Sequence, residues 1–303
     1  MIDYKSINVL ELVKPDGGKY SVSSIDEAFE FCRQITISHY ENFPVSSFLI
    51  PKSLRKYVYS IYAYARIADD ISDELSSIGK ETQLKALDNY ENLLLNLTAQ
   101  MNGNPVFLAI HQTMFDTKIP AEPLQKLLTA FRMDIEFEQA KTFKELENYC
   151  YYSANPVGEL ILRLFNNYNE KTAYYSDKIC TGLQIANFWQ DLSVDLIQNR
   201  IYIPTEILNK YKLDVEILKN NIKNDNLINC LNELYLHSEN YLIEGYELVK
   251  YLNNKRFKLE IKATVFGGLS IIKKCRKLGD QILIIRPELS KLDFLRIFMR
   301  VFF

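Results

Sequence analysis

Helical periodicity dominates the sequence from about Ser24 to its end, while residues that form turns are scarce. Apolar residues recur at helical spacing over roughly 52–75, 81–101, 121–139, 143–153, 157–199, 225–254 and 257–279. Only 10 Gly and 9 Pro occur in 303 residues, which is few for a fold built of strands and tight turns. The sequence therefore predicts an all-α fold.

Two helix starts are marked by capping signals. Ser24 to Glu27 has the pattern of a capping box, which predicts a helix from there to about Tyr40. Asn104 followed by Pro105 predicts an N-cap and the first helical residue of another helix. Because no internal repeat, low-complexity tract or linker separates the helical segments, we predict a single domain over residues 1–303, with 1–22 as an irregular N-terminal segment.

Charge and composition exclude some classes of protein. The 36 basic and 38 acidic residues give a formal net charge of −2, so no nucleic-acid partner is expected. Five cysteines are spread along the chain without a CxxC pair, which is typical of reduced thiols in a cytosolic protein. The N-terminus lacks the apolar run of a signal peptide, and no stretch approaches the ~18 apolar residues of a spanning helix. We therefore expect a cytoplasmic protein.

The first chemically informative motif spans residues 62–74. At about 100° per residue, Tyr62, Arg66, Asp69 and Asp73 fall within a narrow arc of a helix, with Asp70 at its edge. Asp69 and Asp73 are four positions apart, so their carboxylates project side by side and repel each other. This arrangement costs stability unless a cation lies between the two carboxylates.

The second motif spans residues 184–195. Gln184, Asn187, Asp191 and Asp195 lie at positions i, i+3, i+7 and i+11, so one helical face carries only oxygen-bearing side chains. The remaining arc is apolar and is formed by Ile185, Phe188, Trp189 and Leu192. A polar stripe on a helix that is otherwise apolar all round is difficult to explain as an ordinary solvent-exposed face.

Two faces of this kind suit a magnesium diphosphate. Mg²⁺ is usually held by one or two carboxylates together with substrate phosphates, and helical bundles commonly build metal sites from facing helices. If the two motifs oppose each other across a bundle core, the metals stabilise diphosphate as a leaving group and apolar walls shield the carbocation. The alternative is two ordinary acidic surface faces. The 20 Tyr and 17 Phe suit either core packing or a cavity with aromatic faces for cations, and composition does not decide between them.

At these motifs the sequence resembles the squalene/phytoene synthase family of head-to-head prenyl transferases. The family pattern of Tyr, Arg and DDxxD is matched by Tyr62, Arg66, Asp69, Asp70 and Asp73. The pattern QxxNxxRDxxxD is matched by Gln184, Asn187, Asp191 and Asp195, with Gln190 in place of the arginine. Residues 199–204 and 149–158 extend the similarity, which runs from His39 to the C-terminal helix. The resemblance implies an isoprenoid synthase helical bundle with a central apolar cavity.

The resemblance also implies roles for individual residues. Two or three Mg²⁺ ions, bound with the substrate diphosphate, would be coordinated by Asp69, Asp73, Asn187, Asp191 and Asp195. Asp70 and Gln184 would act around the metals or on the diphosphate. Contacts with a prenyl diphosphate substrate would come from His39, Tyr62, Arg66, Tyr149, Gln184, Asn187, Arg200 and Tyr202. Gln190 lies about 240° from Gln184 on the helix, so it is away from the liganding face.

Departures from the general pattern resemble one subfamily. Residues 39–45, 153–158 and 188–191, and Gly267-Gly268 followed by Arg286-Pro287, look like the hydroxysqualene synthases of bacterial hopanoid clusters. Such a carbon–oxygen lyase ionises presqualene diphosphate, rearranges the cyclopropylcarbinyl cation and lets water capture it. The resemblance implies functional coupling to a presqualene diphosphate synthase, which acts before it, and to a flavoprotein reductase, which acts after it.

Three other interpretations are open. The first is a head-to-head farnesyl diphosphate condensing enzyme, such as a presqualene diphosphate or squalene synthase, or a phytoene synthase. The second is a non-catalytic assembly factor of the same fold, which the presence of all five aspartates disfavours. The third is peripheral contact with the inner face of a membrane through the apolar segment 294–303, which contains Arg296 and Arg300. Packing of that segment on the protein core explains its composition equally well.

Overall fold

Helices joined by short connections make up this protein. The computed structural model describes residues 2–39, 49–97, 103–220 and 224–302, and over these residues every regular element is an α-helix or a 3₁₀ helix. The predicted all-α class is confirmed. The chain divides into two compact units, one formed by Met1–Glu136 and Leu160–Asn166 and the other by Phe137–Glu159 and Asn167–Phe303. The single domain and the central apolar cavity remain predictions.

The first unit contains six α-helices within its described residues, and a seventh α-helix is shared between the units. The six are α1 (Val9–Leu12), α2 (Ile25–Ser38), α3 (Lys52–Glu74), α4 (Lys80–Leu95), α5 (Pro105–Thr117) and α6 (Glu122–Ile135). The helices that follow are α7 (Phe143–Ser153), the shared α8 (Asn155–Leu164), α9 (Glu170–Gln190), α10 (Leu192–Asp195), α11 (Thr205–Lys210), α12 (Val215–Lys219), α13 (Asp225–Gly245), α14 (Lys255–Leu278) and α15 (Lys291–Phe302). Short 3₁₀ helices cover Gly18–Tyr20, Leu75–Ile78, Tyr246–Lys250 and Gly279–Leu283.

Side-chain caps begin α2 and α5 at the predicted places. Ser24 accepts a hydrogen bond from the backbone N of Glu27 at 3.2 Å, whereas the Glu27 carboxylate accepts from Ser23, one residue before the predicted partner. Asn104 accepts from the first turn of α5, and its amide donates to the carbonyl oxygens of Leu12 and Lys14, both at 2.9 Å. The segment predicted to be irregular, 1–22, therefore contains two short helices and is fastened to the start of α5.

The core of the first unit fixes the position of α3. This helix packs against α2, α5 and α6. Tyr64 on its buried face stacks on Tyr90 with ring centroids 5.0 Å apart, and Tyr90 meets Phe107 edge-on at 4.7 Å. All three rings are fully buried. Because large aromatic side chains bury much apolar surface, this cluster holds the helix that carries the first aspartate motif.

In the second unit, α9 packs closely against α13. A Cβ atom added to Gly245 would lie 2.8 Å from the backbone N of Ile179, and one added to Gly182 would lie 2.9 Å from the Cβ of Tyr241. Glycine at these two positions therefore lets the helix backbones approach each other. Trp189, fully buried near the end of α9, donates a hydrogen bond from Nε1 to Ser238 Oγ at 3.0 Å. These contacts fix the helix that carries most of the second motif.

The prediction of a single helical segment over 157–199 was wrong. The chain forms α8, α9 and α10 there, with breaks after Leu164 and after Gln190. Asn166 adopts a left-handed conformation with φ of 53°, and Asn169 caps α9 in a reciprocal capping box with Thr172. Asparagine favours both conformations because its short side chain bonds to the local backbone. The apolar periodicity continues across these asparagines and across the second break after Gln190, so it concealed both breaks.

Candidate functional site

The first motif lies on α3, as predicted. Arg66 Nη1 is 3.0 Å from Asp69 Oδ2, and its Nη2 contacts Asp70 Oδ1. Asp70 is buried, Asp69 is half-buried and Asp73 is exposed. The arginine on the same helix therefore offsets part of the repulsion that the spacing of the aspartates predicts.

Electrostatics around Arg66 favour its charged form. Burial opposes that charge, but Asp70 and Asp69 more than compensate, so the pKa of Arg66 lies above its usual value. Burial also raises the pKa of Tyr62. A charged arginine and a neutral tyrosine, both half-buried on the same face as the aspartates, are suitable donors for diphosphate oxygens.

His39 lies beside Tyr62 at the end of α2. The Tyr62 hydroxyl donates to the backbone oxygen of His39 at 3.3 Å. The His39 Nδ1 atom is 3.0 Å from the oxygen of Ile35 and 3.1 Å from Ser38 Oγ. These contacts bring together the first two residues predicted to contact substrate. The rest of the predicted motif, Tyr40 to Val45, lies outside the described residues.

The second motif crosses the end of a helix. Gln184 and Asn187 lie on α9, Asp191 follows its last residue with φ of −96° and ψ of 7°, and Asp195 ends α10. Asn187 is exposed, and the other three are half-buried. The neighbouring apolar side chains, Ile185, Phe188, Trp189 and Leu192, are all buried. The predicted polar stripe is thus accessible on an otherwise buried element, even though the helix is not continuous.

The two aspartates of this motif have unequal environments. Burial, followed by the charge of Asp191, raises the pKa of Asp195 to about 6, against the opposing effect of Arg200 and Arg286. Asp191 itself is paired with Arg286, whose Nε lies 2.5 Å from Asp191 Oδ1. A carboxylate whose ionisation is opposed by burial and by a neighbouring carboxylate gains most from a nearby cation.

Aromatic rings adjoin the second motif. Phe188 of α9 stacks on Tyr202 with ring centroids 3.9 Å apart and an interplanar angle of 8°. Tyr149 of α7 lies 5.9 Å from Phe188 and 6.3 Å from Tyr202, and Phe137 meets Tyr202 edge-on at 5.3 Å. We call these four residues, Phe137, Tyr149, Phe188 and Tyr202, the aromatic cluster. It brings together two predicted substrate contacts that are about fifty residues apart in sequence.

The segment that carries Arg200 and Tyr202 is fixed from both sides. The backbone N of Arg200 donates to the oxygen of Asp195 at 2.9 Å. Further along, Gln139 Nε2 donates to the oxygen of Ile203 at 2.7 Å. The charge of Arg200 also lowers the pKa of Asp195, although burial outweighs it. Arg200 therefore belongs to the same charged group as the second motif.

The donor atoms suit a metal that is shared with a phosphate ligand. Across the described parts of the chain, no three His, Cys, Asp or Glu side chains converge as a cage made of protein atoms alone. Mg²⁺ does not need one, because it is usually held by one or two carboxylates, waters and substrate phosphates. Asp191 and Asp195, with the amide oxygen of Asn187, provide such a set in the second unit, and Asp69 and Asp73 provide carboxylates in the first. That the two sets face each other remains a prediction.

Two residues beside the second motif, Arg286 and Gln190, were not predicted to have a role in the site. Gln190 is buried, and its Nε2 donates to the backbone oxygen of Pro287 at 2.8 Å. Arg286, the next residue back, pairs with Asp191. The only signal in the sequence was that Gln190 replaces the arginine of the motif while Arg286 and Pro287 also match the subfamily pattern.

An all-α fold that carries two aspartate motifs with adjacent arginines defines the class of helical isoprenoid synthases. Within that class, this chain belongs to the squalene/phytoene synthase family, whose model matches residues 37–293. The predicted family and fold are both confirmed.

Individual relatives show which kinds of synthase in the family this chain is similar to. A hydroxysqualene synthase of Sinorhizobium fredii is 33% identical over 260 residues, which cover 84% of this chain and 85% of the relative. A 15-cis-phytoene synthase of Synechocystis is 26% identical over 72% of this chain and 67% of its own length. The crystal structure of squalene synthase HpnC from Alicyclobacillus acidocaldarius superposes with a TM-score of 0.79 at 34% identity, covering 84% of this chain and 95% of that one. The homologues in this family are enzymes.

Proposed function

We propose that the protein is a Mg²⁺-dependent synthase that converts presqualene diphosphate and water to hydroxysqualene and diphosphate, in bacterial squalene and hopanoid biosynthesis. The observation that carries the proposal is that one segment of the second unit joins the carboxylates to the aromatic cluster. Phe188 precedes Asp191 by three residues, and the backbone N of Arg200, two residues before Tyr202, donates to the oxygen of Asp195. Carboxylates that suit a metal diphosphate there adjoin rings that suit a carbocation. Similarity to hydroxysqualene synthases over most of the chain supports the choice of reaction.

In this mechanism, Asp69, Asp73, Asn187, Asp191 and Asp195 would hold the metal ions. The bound Mg²⁺ would neutralise charge on the diphosphate as it leaves. Arg66 and Arg200 would donate to diphosphate oxygens, with Asp70 keeping Arg66 in place through their ion pair and Gln184 acting beside the metals. His39 and Tyr62 would contact the same group from the end of α2.

The aromatic cluster would stabilise the cation that ionisation leaves behind. The faces of Phe188, Tyr202 and Tyr149 carry negative quadrupole charge, which attracts a cation without providing a nucleophile. Water then adds to the rearranged C30 cation, one C–O bond forms, and a proton is lost to give the alcohol. The reaction needs no reductant, because loss of diphosphate followed by addition of water involves no net oxidation or reduction.

The choice of substrate tests this proposal. Purified protein with Mg²⁺ should convert presqualene diphosphate to hydroxysqualene and give little product from farnesyl diphosphate, as measured by mass spectrometry of extracted lipids. We expect this because presqualene diphosphate already contains the C30 skeleton and needs only one diphosphate site. Efficient formation of presqualene diphosphate or squalene from farnesyl diphosphate, or of phytoene, would make the protein a condensing enzyme instead. Binding without turnover of any of these substrates would support an assembly factor.

We also propose that the protein acts in the cytoplasm with a peripheral contact to an anionic membrane through α15. Across the described helices, none is both long enough and apolar enough to cross a bilayer. Helix α15 buries only Ile297 and Val301, and the Asp293–Lys274 ion pair at 2.6 Å fastens it to α14. The opposite face exposes apolar side chains that are between 47% and 65% accessible: Leu292, Leu295, Phe298, Met299 and Phe302. Core packing thus accounts for one side of the helix only.

A lipid surface fits this face better than a second copy of the chain. Five side chains of roughly 100 Å² each expose on the order of 500 Å², below the roughly 800 Å² per partner of a stable dimer. Lys291 and Arg296 are both exposed on this helix and suit anionic head groups. The other arginine of the segment, Arg300, lies over the ring of Phe266 at 4.7 Å instead. The proposed C30 product is a hydrocarbon alcohol, which partitions into a bilayer. The proposed functional coupling to a presqualene diphosphate synthase and a flavoprotein reductase would then take place at the membrane surface.

Vesicle co-sedimentation tests the membrane contact. The double variant Leu295→Gln/Met299→Gln should bind phosphatidylglycerol vesicles at least tenfold more weakly than the wild type, because each side chain loses roughly 1.5–3 kcal/mol of burial. The control Leu236→Gln/Ile243→Gln alters two exposed apolar residues of α13 and should bind like the wild type. Equal binding by both double variants would contradict the proposal. A wild-type dimer that the α15 variant abolishes would assign the face to a second copy.

A further inference from the structure

Gln190 fixes a distant segment of the chain at the end of α9. Its side chain is only 8% exposed, and its Nε2 atom donates to the backbone oxygen of Pro287 at 2.8 Å. Pro287 lies between the 3₁₀ helix Gly279–Leu283 and α15, ninety-seven residues further along the chain. The amide therefore holds this segment beside the residue that follows Gln190, which is Asp191.

Arg286 uses that position to reach Asp191. Its Nε is 2.5 Å from Asp191 Oδ1 and its Nη2 is 3.4 Å from Oδ2, so the guanidinium contacts the carboxylate at two points. The same charge lowers the pKa of Asp195. One arginine thus acts on both carboxylates of the second motif. Its other acidic neighbour, Glu288, is 3.8 Å away and is 76% exposed.

We propose that Arg286 is the positioning residue for Asp191 and that it supplies, beside this carboxylate, the positive charge that residue 190 lacks. Gln190 in turn holds Arg286 in this position through its hydrogen bond to Pro287. The inference rests on the proposed function, because it concerns carboxylates assigned to a metal diphosphate. A guanidinium in this place has opposite effects on two ligands. Its charge opposes a free metal cation at Asp191 and Asp195, but it favours a diphosphate anion bound nearby.

Opposite effects on two ligands distinguish this role from a purely structural one. The test is isothermal titration calorimetry of the whole protein with Mg²⁺ alone, and with inorganic pyrophosphate in saturating Mg²⁺. Arg286→Gln should bind Mg²⁺ alone about three- to tenfold more tightly and pyrophosphate about tenfold more weakly, as expected for removing one charge at the protein surface. If the ion pair only held the segment in place, its loss in Arg286→Gln would weaken the binding of both ligands or of neither.

The chain offers a matched control. Arg276 contacts Glu239 at two points, both 2.8 Å long, between α14 and α13 of the same unit. Arg276→Gln therefore removes an equivalent arginine–carboxylate pair that includes neither Asp191 nor Asp195, and both dissociation constants should stay within about twofold of the wild type. Thermal melting of each variant establishes that the compared proteins are folded.

Three further variants test the chain of contacts. Gln190→Leu, close in size but unable to donate to Pro287, should change both affinities in the same directions as Arg286→Gln. The double variant should change them no further than Arg286→Gln alone, since both substitutions act through one guanidinium. Arg286→Lys keeps the charge without the two-point contact and should recover part of the pyrophosphate affinity.

The outcomes separate the two proposals. If the wild type binds neither Mg²⁺ nor pyrophosphate, the proposed function is wrong. If the wild type binds both, and Arg286→Gln behaves like Arg276→Gln or weakens both ligands equally, the metal site stands and the positioning role of Arg286 is wrong.

Discussion

Asp191→Asn is expected to lower kcat by on the order of 10³-fold, and Asp69→Asn should lower it to a similar extent. Asparagine keeps the shape of the side chain but removes the charge that would hold Mg²⁺ against the diphosphate. Because the proposed metals would act on charge that develops as the diphosphate leaves, the loss should appear in kcat measured at saturating substrate. Chelation by EDTA should abolish wild-type turnover, and added Mg²⁺ should restore it.

Stability should change much less than activity in these variants. The Asp191 side chain is 29% exposed and that of Asp69 is 39% exposed, so breaking their ion pairs with Arg286 and Arg66 costs at most about 1 kcal/mol. Each variant also loses a charge that repels a neighbouring carboxylate, which offsets part of this cost.

A control for each unit isolates the chemistry from the loss of an ion pair. Glu239→Gln breaks the two-point pair with Arg276 in the second unit, and Asp88→Asn breaks a 2.8 Å pair with Arg132 in the first. Both controls should retain wild-type kcat within about twofold. Near-wild-type turnover in Asp191→Asn or Asp69→Asn would remove that residue from the mechanism.

Local sequence patterns predicted the parts of the site that lie within one helix. The residues from Tyr62 to Asp73 share α3 as their spacing requires, because 3.6-residue periodicity holds along an unbroken helix. Asn104 begins α5 as a cap for the same local reason. In the second motif the stripe of accessible polar residues was predicted, but the end of the helix at Gln190 was not. Apolar periodicity there reports which side is buried, and it continues through a break that leaves the buried side unchanged.

Contacts between distant parts of the chain were beyond such patterns. Arg286 reaches Asp191 across ninety-five residues, and no spacing rule links the two positions. The pairing of Tyr149 with Tyr202 likewise depends on how α7 and the segment between α10 and α11 both meet Phe188 of α9, which tertiary packing decides. For α15, composition allowed both core packing and membrane contact. The burial of Ile297 and Val301 alone shows that packing occupies one face of this helix and leaves the other exposed.

The oxygen of the product is the most discriminating observable of the proposed reaction. In H₂¹⁸O, presqualene diphosphate should give hydroxysqualene whose hydroxyl contains ¹⁸O in essentially every molecule. A cation captured by water takes its oxygen from solvent, whereas hydrolysis at phosphorus would keep the C–O bond and the original oxygen. Mass spectrometry of the alcohol measures the two-unit mass shift directly, and the same reaction in unlabelled water is the control.

The rate of this reaction should be the same with and without NADPH. Ionisation in the proposed mechanism is assisted by Mg²⁺, by Arg66 and by Arg200, none of which needs an electron donor. The fate of the cation then depends on what reaches it first, so a site that admits one water gives an alcohol and a site that excludes water and binds a hydride donor gives squalene. Squalene formed only in the presence of NADPH, or an alcohol without ¹⁸O, would contradict capture by water and assign the protein to a different reaction of its family.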